Sequence, residues 1–318
     1  MKAIVIEGYG GPDRLLVRER PDPKPGAGEI LVRVRAAGVN PVDWKIRRGN
    51  LRMVLRLGFP YIPGGNVAGE VIDVGVGVTR FRPGEAIVAF ADMKRGGGYA
   101  ELAAVKETAA APKARSLSFV EAASLPIAAV TALQALRDSG ALREGGTTLI
   151  NGAAGGVGHF AVQIARALGV VPTAVCGPAN VDFVKSIGAE TVIDYSQDDF
   201  TRRAARYDVV FDSVAKSSFG ACRRLLKPGG CYVTTVPSPG ILPWIPVQSI
   251  AGLFGRVKKA KFLMVRPEGS DLAYLDILAD EGRLRPTISR TFPLERAREG
   301  HEASEVGHTR GKIVLEVV

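Results

Sequence analysis

Residues 149–169 read LINGAAGGVGHFAVQIARALG: an apolar run, then crowded glycines, then a stretch with helical spacing. A glycine-rich turn between a strand and a helix lets the backbone come very close to a ligand. The helix start then offers free N–H groups at the positive end of its dipole. Read as A-x-G-x-x-G, the turn has Ala153 in place of the first glycine. Gly155 would let the chain approach a pyrophosphate, and Gly158 would let helix and strand pack closely; Gly156 and Val157 complete the loop. A tight turn with nothing bound is the competing reading, and the rest of the chain decides between them.

Downstream, strands and helices alternate. TTLIN leads into a helix over residues 157–168, VPTAVC into one over 181–187, and TVIDY follows. DVVFDSV then leads into a helix over 219–226, and CYVTTV follows. This alternation predicts a doubly wound parallel sheet of Rossmann type, which favours a dinucleotide at the glycine turn. Upstream the pattern is all-β: KAIVIE, EILVRVRAAGV, VAGEVIDVGVGV and EAIVAF are short runs separated by Gly- and Pro-containing turns. Near Ser118 it gives way to SFVEAASLPIAAVTALQAL, read as helical, with Ser118 and Glu121 forming a capping box. After Lys261 come KFLMV, a helix capped by Ser270 and a closing strand, GKIVLEVV. The expectation is an α/β protein. A Rossmann domain covers residues 123–265, and a β-rich domain is built from 1–122 and 266–318.

The end of the second Rossmann strand bears on the cofactor. A carboxylate about 20 residues beyond the glycine turn would bind the ribose 2′-hydroxyl of NAD. This chain has AVCGPAN at residues 174–180 and no acid until Asp182. Gly177 leaves room for a 2′-phosphate, Asn180 offers a donor, and Tyr195 at the end of the next strand lines the same place. NADPH is the expected cofactor, although the turn itself holds no Arg or Lys.

Composition narrows the class. The chain has 318 residues, 46% hydrophobic and 23% charged, enough for two globular domains. No apolar run is of membrane-spanning length, and the nearest, residues 240–255, contains Pro243 and Pro246. KAIVIE reads as a first strand rather than a secretory leader. Cys176, Cys222 and Cys231 have no C-x-x-C spacing, so reduced thiols and a cytoplasmic location are expected. The formal charge is +10, but the basic residues are scattered, and only RVKKAK at 256–261 forms a cluster. No aromatics interleave with it for base stacking, so no nucleic-acid partner is expected.

Six stretches carry a family likeness: AAGVNPVDWKIRRG (36–49), GGYAE (97–101), AASLPIAAVTALQAL (122–136), INGAAGGVG (150–158), LKPGG (226–230) and GKIVLEV (311–317). On these residues the chain resembles, over nearly its full length, the zinc-independent quinone oxidoreductases of the medium-chain dehydrogenase/reductase superfamily. The resemblance implies a GroES-like catalytic domain made from both chain ends beside the Rossmann domain. It also implies NADPH-dependent reduction of quinones or other α,β-unsaturated carbonyls. It sets Asn40 against the nicotinamide and Lys45 near the substrate oxygen, where an ammonium stabilises a developing anion. Asp43 lies in the same short loop, NPVDWK, stiffened by Pro41; it either serves the chemistry or pairs with Lys45 or Arg47. Tyr61 is a substrate-pocket candidate whose competing reading is a packed aromatic.

Zinc-dependent members of the superfamily have a Cys where this chain has Asn40 and a His–Glu pair where it has Gly65 and Asn66. His159, His301 and His308 lack zinc-ligand spacing, so no metal is expected, and His159 is read as solvated or packing. Asn66 also departs from an Asp common in the family, which is expected to alter local hydrogen bonding. A dinucleotide-binding protein with little turnover, redox-sensing or nucleic-acid-binding, is the alternative function; RVKKAK favours it and NPVDWK opposes it. KFLMV is expected to form a sixth strand at the sheet edge. Residues 262–265 would pair with a second copy in a homodimer, unless residues 240–255 fold back as a lid.

Overall fold

The computed structural model describes residues 1–236 and 257–318. The apolar segment 240–255, expected as lid or interface, and Arg256 lie outside the described residues. The chain divides into two compact units, Met1–Val130 with Arg266–Val318, and Thr131–Val265.

The first unit opens with β1 (Lys2–Val5) and β2 (Leu16–Glu19), an antiparallel pair. The long strand β3 (Glu29–Val39) follows and leads into α1 (Pro41–Arg47). Next come β4 (Asn66–Val74), β5 (Ala86–Phe90), β6 (Leu102–Lys106) and β7 (Ala110–Pro112). β3 is buried along most of its length: Ile30, Val32 and Val34 enter the core, Leu31 is also buried, and only Arg33 faces solvent. The stretch after Ser118 is not one helix. It forms α2 (Phe119–Ala123) and α3 (Pro126–Leu133), then a π-helical turn, Gln134–Ser139. Pro126 is the cause, because it cannot sit inside a helix but suits a first helical position. The expected capping box is present: Ser118 Oγ accepts from Glu121 N–H, and Glu121 accepts from Ser118 N–H.

The second unit is built on β8 (Thr147–Asn151), β9 (Val171–Cys176), β10 (Thr191–Asp194), β11 (Tyr207–Asp212), β12 (Leu226–Thr234) and β13 (Lys259–Phe262). Their order in space is β10-β9-β8-β11-β12-β13, all parallel. The helices are α4 (Gly158–Ala167), α5 (Val181–Ser186) and α6 (Phe219–Cys222). The central strands are buried on both faces, as helices covering both sides of a parallel sheet require. The sixth strand is an edge, as expected, but it spans Lys259–Phe262, so only Phe262 of residues 262–265 belongs to it. The register is set by Ala260, which is buried while Lys259 and Lys261 face water.

The chain then returns to the first unit through α7 (Gly269–Asp280), β14 (Ile288–Pro293), α8 (Ala297–Val306) and β15 (Lys312–Glu316). β15 pairs antiparallel with β3, Ile313 against Val39, and parallel with β14. The C-terminal strand thereby completes a sheet of order β14-β15-β3-β4-β5-β7, with β6 also on β3. The result is an α/β protein with a Rossmann sheet and a β-rich unit made from both chain ends.

Candidate active site

At the glycine turn, Gly152 takes a left-handed conformation (φ +78°), and Val175 O accepts both Gly152 N–H and Ala153 N–H, at 3.1 and 3.0 Å. A Cβ on Gly158 would stand 2.1 Å from Gly152 O, so only glycine allows α4 to start so close beneath the turn. Among the described residues nothing hydrogen-bonds the backbone N–H of Ala154, Gly156 or Val157. These donors precede α4, where an anion would be welcome.

Gly177 and Tyr195 come together at the ends of β9 and β10: a Cβ on Gly177 would meet Tyr195 Oη at 2.8 Å. Asn180 closes a turn on the same segment, its N–H donating to Gly177 O. Asp194, next to Tyr195, accepts from Ser196 and Gln197, and the bonds to Ser196 hold its carboxyl below its usual range. A group missed by sequence reading ties the strand ends. The fully buried Asp212 accepts from Asn151 Nδ2 (3.0 Å), Tyr232 Oη (3.0 Å) and Ser217 N–H (2.8 Å). His159 is buried rather than solvated, with Nδ1 2.9 Å from Gly155 O and its ring against Phe160.

In the first unit, NPVDWK is not a loop. It is the first turn of α1, with Asn40 at the N-cap and Pro41 at the first position, and Asp43 Oδ2 accepts from Asn40 N–H at 2.8 Å. The Asn–Pro–x–Asp order is a helix-start signature that a loop reading overlooks. Asn40 is 2% exposed. Its Oδ1 accepts from Lys312 Nζ at 2.6 Å, and its Nδ2 faces Gly38 O (3.3 Å) and Asn66 Oδ1 (3.2 Å). The amide is engaged at both ends and holds the turn.

Asp43 pairs with neither Lys45 nor Arg47. It accepts from Tyr99 Oη at 3.2 Å, and its other oxygen, Oδ1, has no partner among the described residues. Burial pushes its carboxyl up to about 6, against the hydrogen bond from Asn40 and the charge of Lys312. Behind it runs a directional chain. Tyr99 has a single hydroxyl proton, which goes to Asp43, so its oxygen accepts from His301 Nε2 at 3.3 Å. His301 Nδ1 is then the acceptor for Arg47 Nη1 at 3.3 Å, and Arg47 pairs with Glu305. The imidazole is neutral, as this requires: burial and Arg47 push it down to about 3.

Lys45 is half-buried, makes no ion pair among the described residues, and lies 5.5 Å from the centroid of the Trp44 ring. Tyr61 packs with Ile6 and Ile46, and its hydroxyl donates to Met93 O at 2.8 Å, the behaviour of a packed aromatic. Asn66 explains its own departure from Asp. Its Oδ1 accepts from Ile127 N–H at the start of α3, and its Nδ2 donates to Ala123 O at the end of α2. A carboxylate could not make the second bond.

The residues present do not fit zinc. Lys312 already donates to Asn40, and a Cβ on Gly65 would sit 2.3 Å from Met93 Sδ and 2.9 Å from Ile127 Cδ1, so a histidine there would have to displace both side chains. Among the described residues there is no group of three or more His, Cys, Asp or Glu placed to hold a metal ion. The three cysteines are buried, and burial pushes each thiol up to about 11. No helix among the described residues is long and apolar enough to cross a membrane.

Two family descriptions match the chain: alcohol dehydrogenase GroES-like domain over residues 26–115 and zinc-binding dehydrogenase over residues 187–315. The chain is 35% identical to the chloroplast envelope quinone oxidoreductase homolog of Arabidopsis thaliana, across 99% of this chain and 98% of that protein. Among solved structures it is similar to the quinone oxidoreductase of Coxiella burnetii, at 34% identity and TM-score 0.86, covering 100% and 99% of the two chains. It is also similar to the Escherichia coli quinone oxidoreductase complexed with NADPH, at 26% identity and TM-score 0.85, covering 99% and 100%.

Proposed function

The chain belongs to the quinone oxidoreductase family of the medium-chain dehydrogenases and reductases and is an NAD(P)H-dependent oxidoreductase; on that premise we propose that it reduces quinones and other α,β-unsaturated carbonyls with NADPH and without a metal. The observation that carries this is the cradle at residues 152–158. There Gly158 fits only without a side chain, and three backbone N–H groups beside the start of α4 have no partner among the described residues. The cofactor, when bound, supplies the hydride.

The chain's own residues divide the remaining work. Ala153, Gly155, Gly156, Val157 and Gly158 hold the pyrophosphate through backbone contacts. Gly177, Asn180 and Tyr195 receive the 2′-phosphate, since the carboxylate of Asp194 is occupied by its own loop. Lys45 is the cation assigned to the carbonyl oxygen, where its ammonium opposes the charge that develops on reduction. Asn40 and Asp43 hold the helix turn that carries it. Metal-free chemistry is supported by the Lys312–Asn40 contact and by the crowding around Gly65. A second copy pairing along the outer edge of β13, which no other described strand takes, is the assembly we assign.

Cofactor choice tests the reading. The protein should bind NADPH more tightly than NADH in a fluorescence titration. Gly177→Asp should reverse the order by setting a carboxylate against the 2′-phosphate. Tighter NADH binding by the wild type would contradict it.

A further inference from the structure

We propose that Lys312 is a positioning residue for this reaction, the buried cation that fixes the amide of Asn40 and, through it, the turn that presents Lys45. The inference rests on the functional reading above. Lysine is almost never fully buried without a charged partner. Lys312, the first residue of β15, is 3% exposed and makes no ion pair among the described residues. Its ammonium is held by two neutral oxygens, Asn40 Oδ1 at 2.6 Å and Val39 O at 2.9 Å. An apolar side chain would fill this place in the strand without the cost of desolvating a charge.

What the lysine supplies is direction. An ammonium only donates, so the atom of Asn40 facing it must be the oxygen. The Asn40 NH2 group is thereby turned toward Asn66 Oδ1 and Gly38 O, while the backbone N–H of the same residue is taken by Asp43. A residue 272 positions away in the chain thus sets the N-terminal turn of α1.

The charge that acts on Lys312 is Asp43, on α1. Behind Asp43 stand Tyr99, His301 and the Arg47–Glu305 pair. The neighbouring strands bring Ile288 and Ser289 from β14 and Val39 from β3, none titratable. Burial pushes the ammonium down to about 8, with Asp43 opposing. Above that pH the positive charge beside Asn40 is lost, and both hydrogen bonds become neutral ones of about half the strength.

The test is NADPH-dependent reduction of para-benzoquinone across the neutral-to-alkaline range, with NADPH titration as the measure of an intact cofactor site. The wild-type kcat should fall on the alkaline side with an apparent pKa of about 8. Lys312→Met should lower kcat on the order of 100-fold, leave the NADPH dissociation constant unchanged, and show no such limb. Lys312→Arg, which keeps the charge, should recover part of kcat and move the limb to higher pH. Combining Asn40→Ala with Lys312→Met should cost no more than the larger single loss, because one residue acts through the other. A Lys312→Met enzyme with wild-type kcat and the same limb overturns the proposal, as do single losses that simply multiply. If Lys312→Met fails to fold, Asn40→Ala decides, because Lys312 acts through that amide: an unchanged kcat in Asn40→Ala overturns the proposal. A wild type inert toward NADPH and para-benzoquinone would instead overturn the functional reading, and the inference with it.

Discussion

Asn66 shows how one side chain decides a local architecture. Its amide bridges the break between α2 and α3, capping the second and accepting from Asn40 as well. Asn66→Ala would strand Ile127 N–H and Ala123 O in a dry interior, while Asn40 Nδ2 would keep Gly38 O. It should lower stability by about 1–3 kcal/mol for the worst-placed group alone, read as a shift in the denaturant midpoint with an unchanged slope. The sequence marked Asn66 as a departure, because the residues around it resemble a known pattern. It could not show what the departure does, since Ala123 and Ile127 meet Asn66 only through the fold. Lys312 was still less visible. A lysine opening an apolar strand reads as solvent-facing until the pairing of β15 with β3 sets it beside Asn40.

Among the elements, the strands and helices of the Rossmann unit were legible because their alternation is local and strongly patterned. Two elements were not. In the turn after β3, Pro41 suits a stiffened loop and a first helical position equally, and the Asn40–Asp43 bond decides for the helix. In the stretch after Ser118 the apolar spacing continues on both sides of Pro126 and hides the break there. The docking of α7 could not be foreseen at all. Asp280 accepts from Ser116 N–H at 2.8 Å and Asp276 from Ala114 N–H at 3.3 Å, while Asp276 Oδ2 stays unpartnered among the described residues.

Burial pushes Asp276 up to about 7 from 3.8, with Asp280 adding to it. Across that window the folded chain holds a proton that the unfolded chain has released. Stability is therefore undiminished below the unfolded value and declines as pH rises through the window. Asp276→Asn removes the penalty. It should raise the unfolding free energy at about pH 8 by at most about 4 kcal/mol, read as a higher melting temperature, and change little at about pH 4. An equal gain at both pH values would contradict the account.

At the level of the whole molecule, the division into a β-rich unit from both chain ends and a Rossmann unit follows from the change of pattern near Ser118 and the closing strand. The contents of the active site do not. The Arg47–His301–Tyr99–Asp43 chain draws on three separated stretches, α1, the segment at Tyr99 and α8, that only the completed unit assembles. Among the described residues nothing pairs with the outer edge of β13, and Phe262 and Met264 are 39% and 74% exposed. Lys259 and Lys261 guard it against indiscriminate pairing. A specific two-fold contact there should give a particle of about twice 33.7 kDa by light scattering. A monomer at micromolar concentration would contradict the assigned pairing.

The central claim is that this chain turns over quinones with NADPH and no metal. The direct measurement is the loss of reduced-nicotinamide absorbance when para-benzoquinone is added to protein dialysed against a chelator, with metal content determined on the same sample. Steady oxidation of NADPH, faster than with NADH and unchanged by chelation, is the predicted result. Tight NADPH binding with no oxidation above the protein-free rate, or activity that vanishes on chelation and returns with zinc, would contradict it.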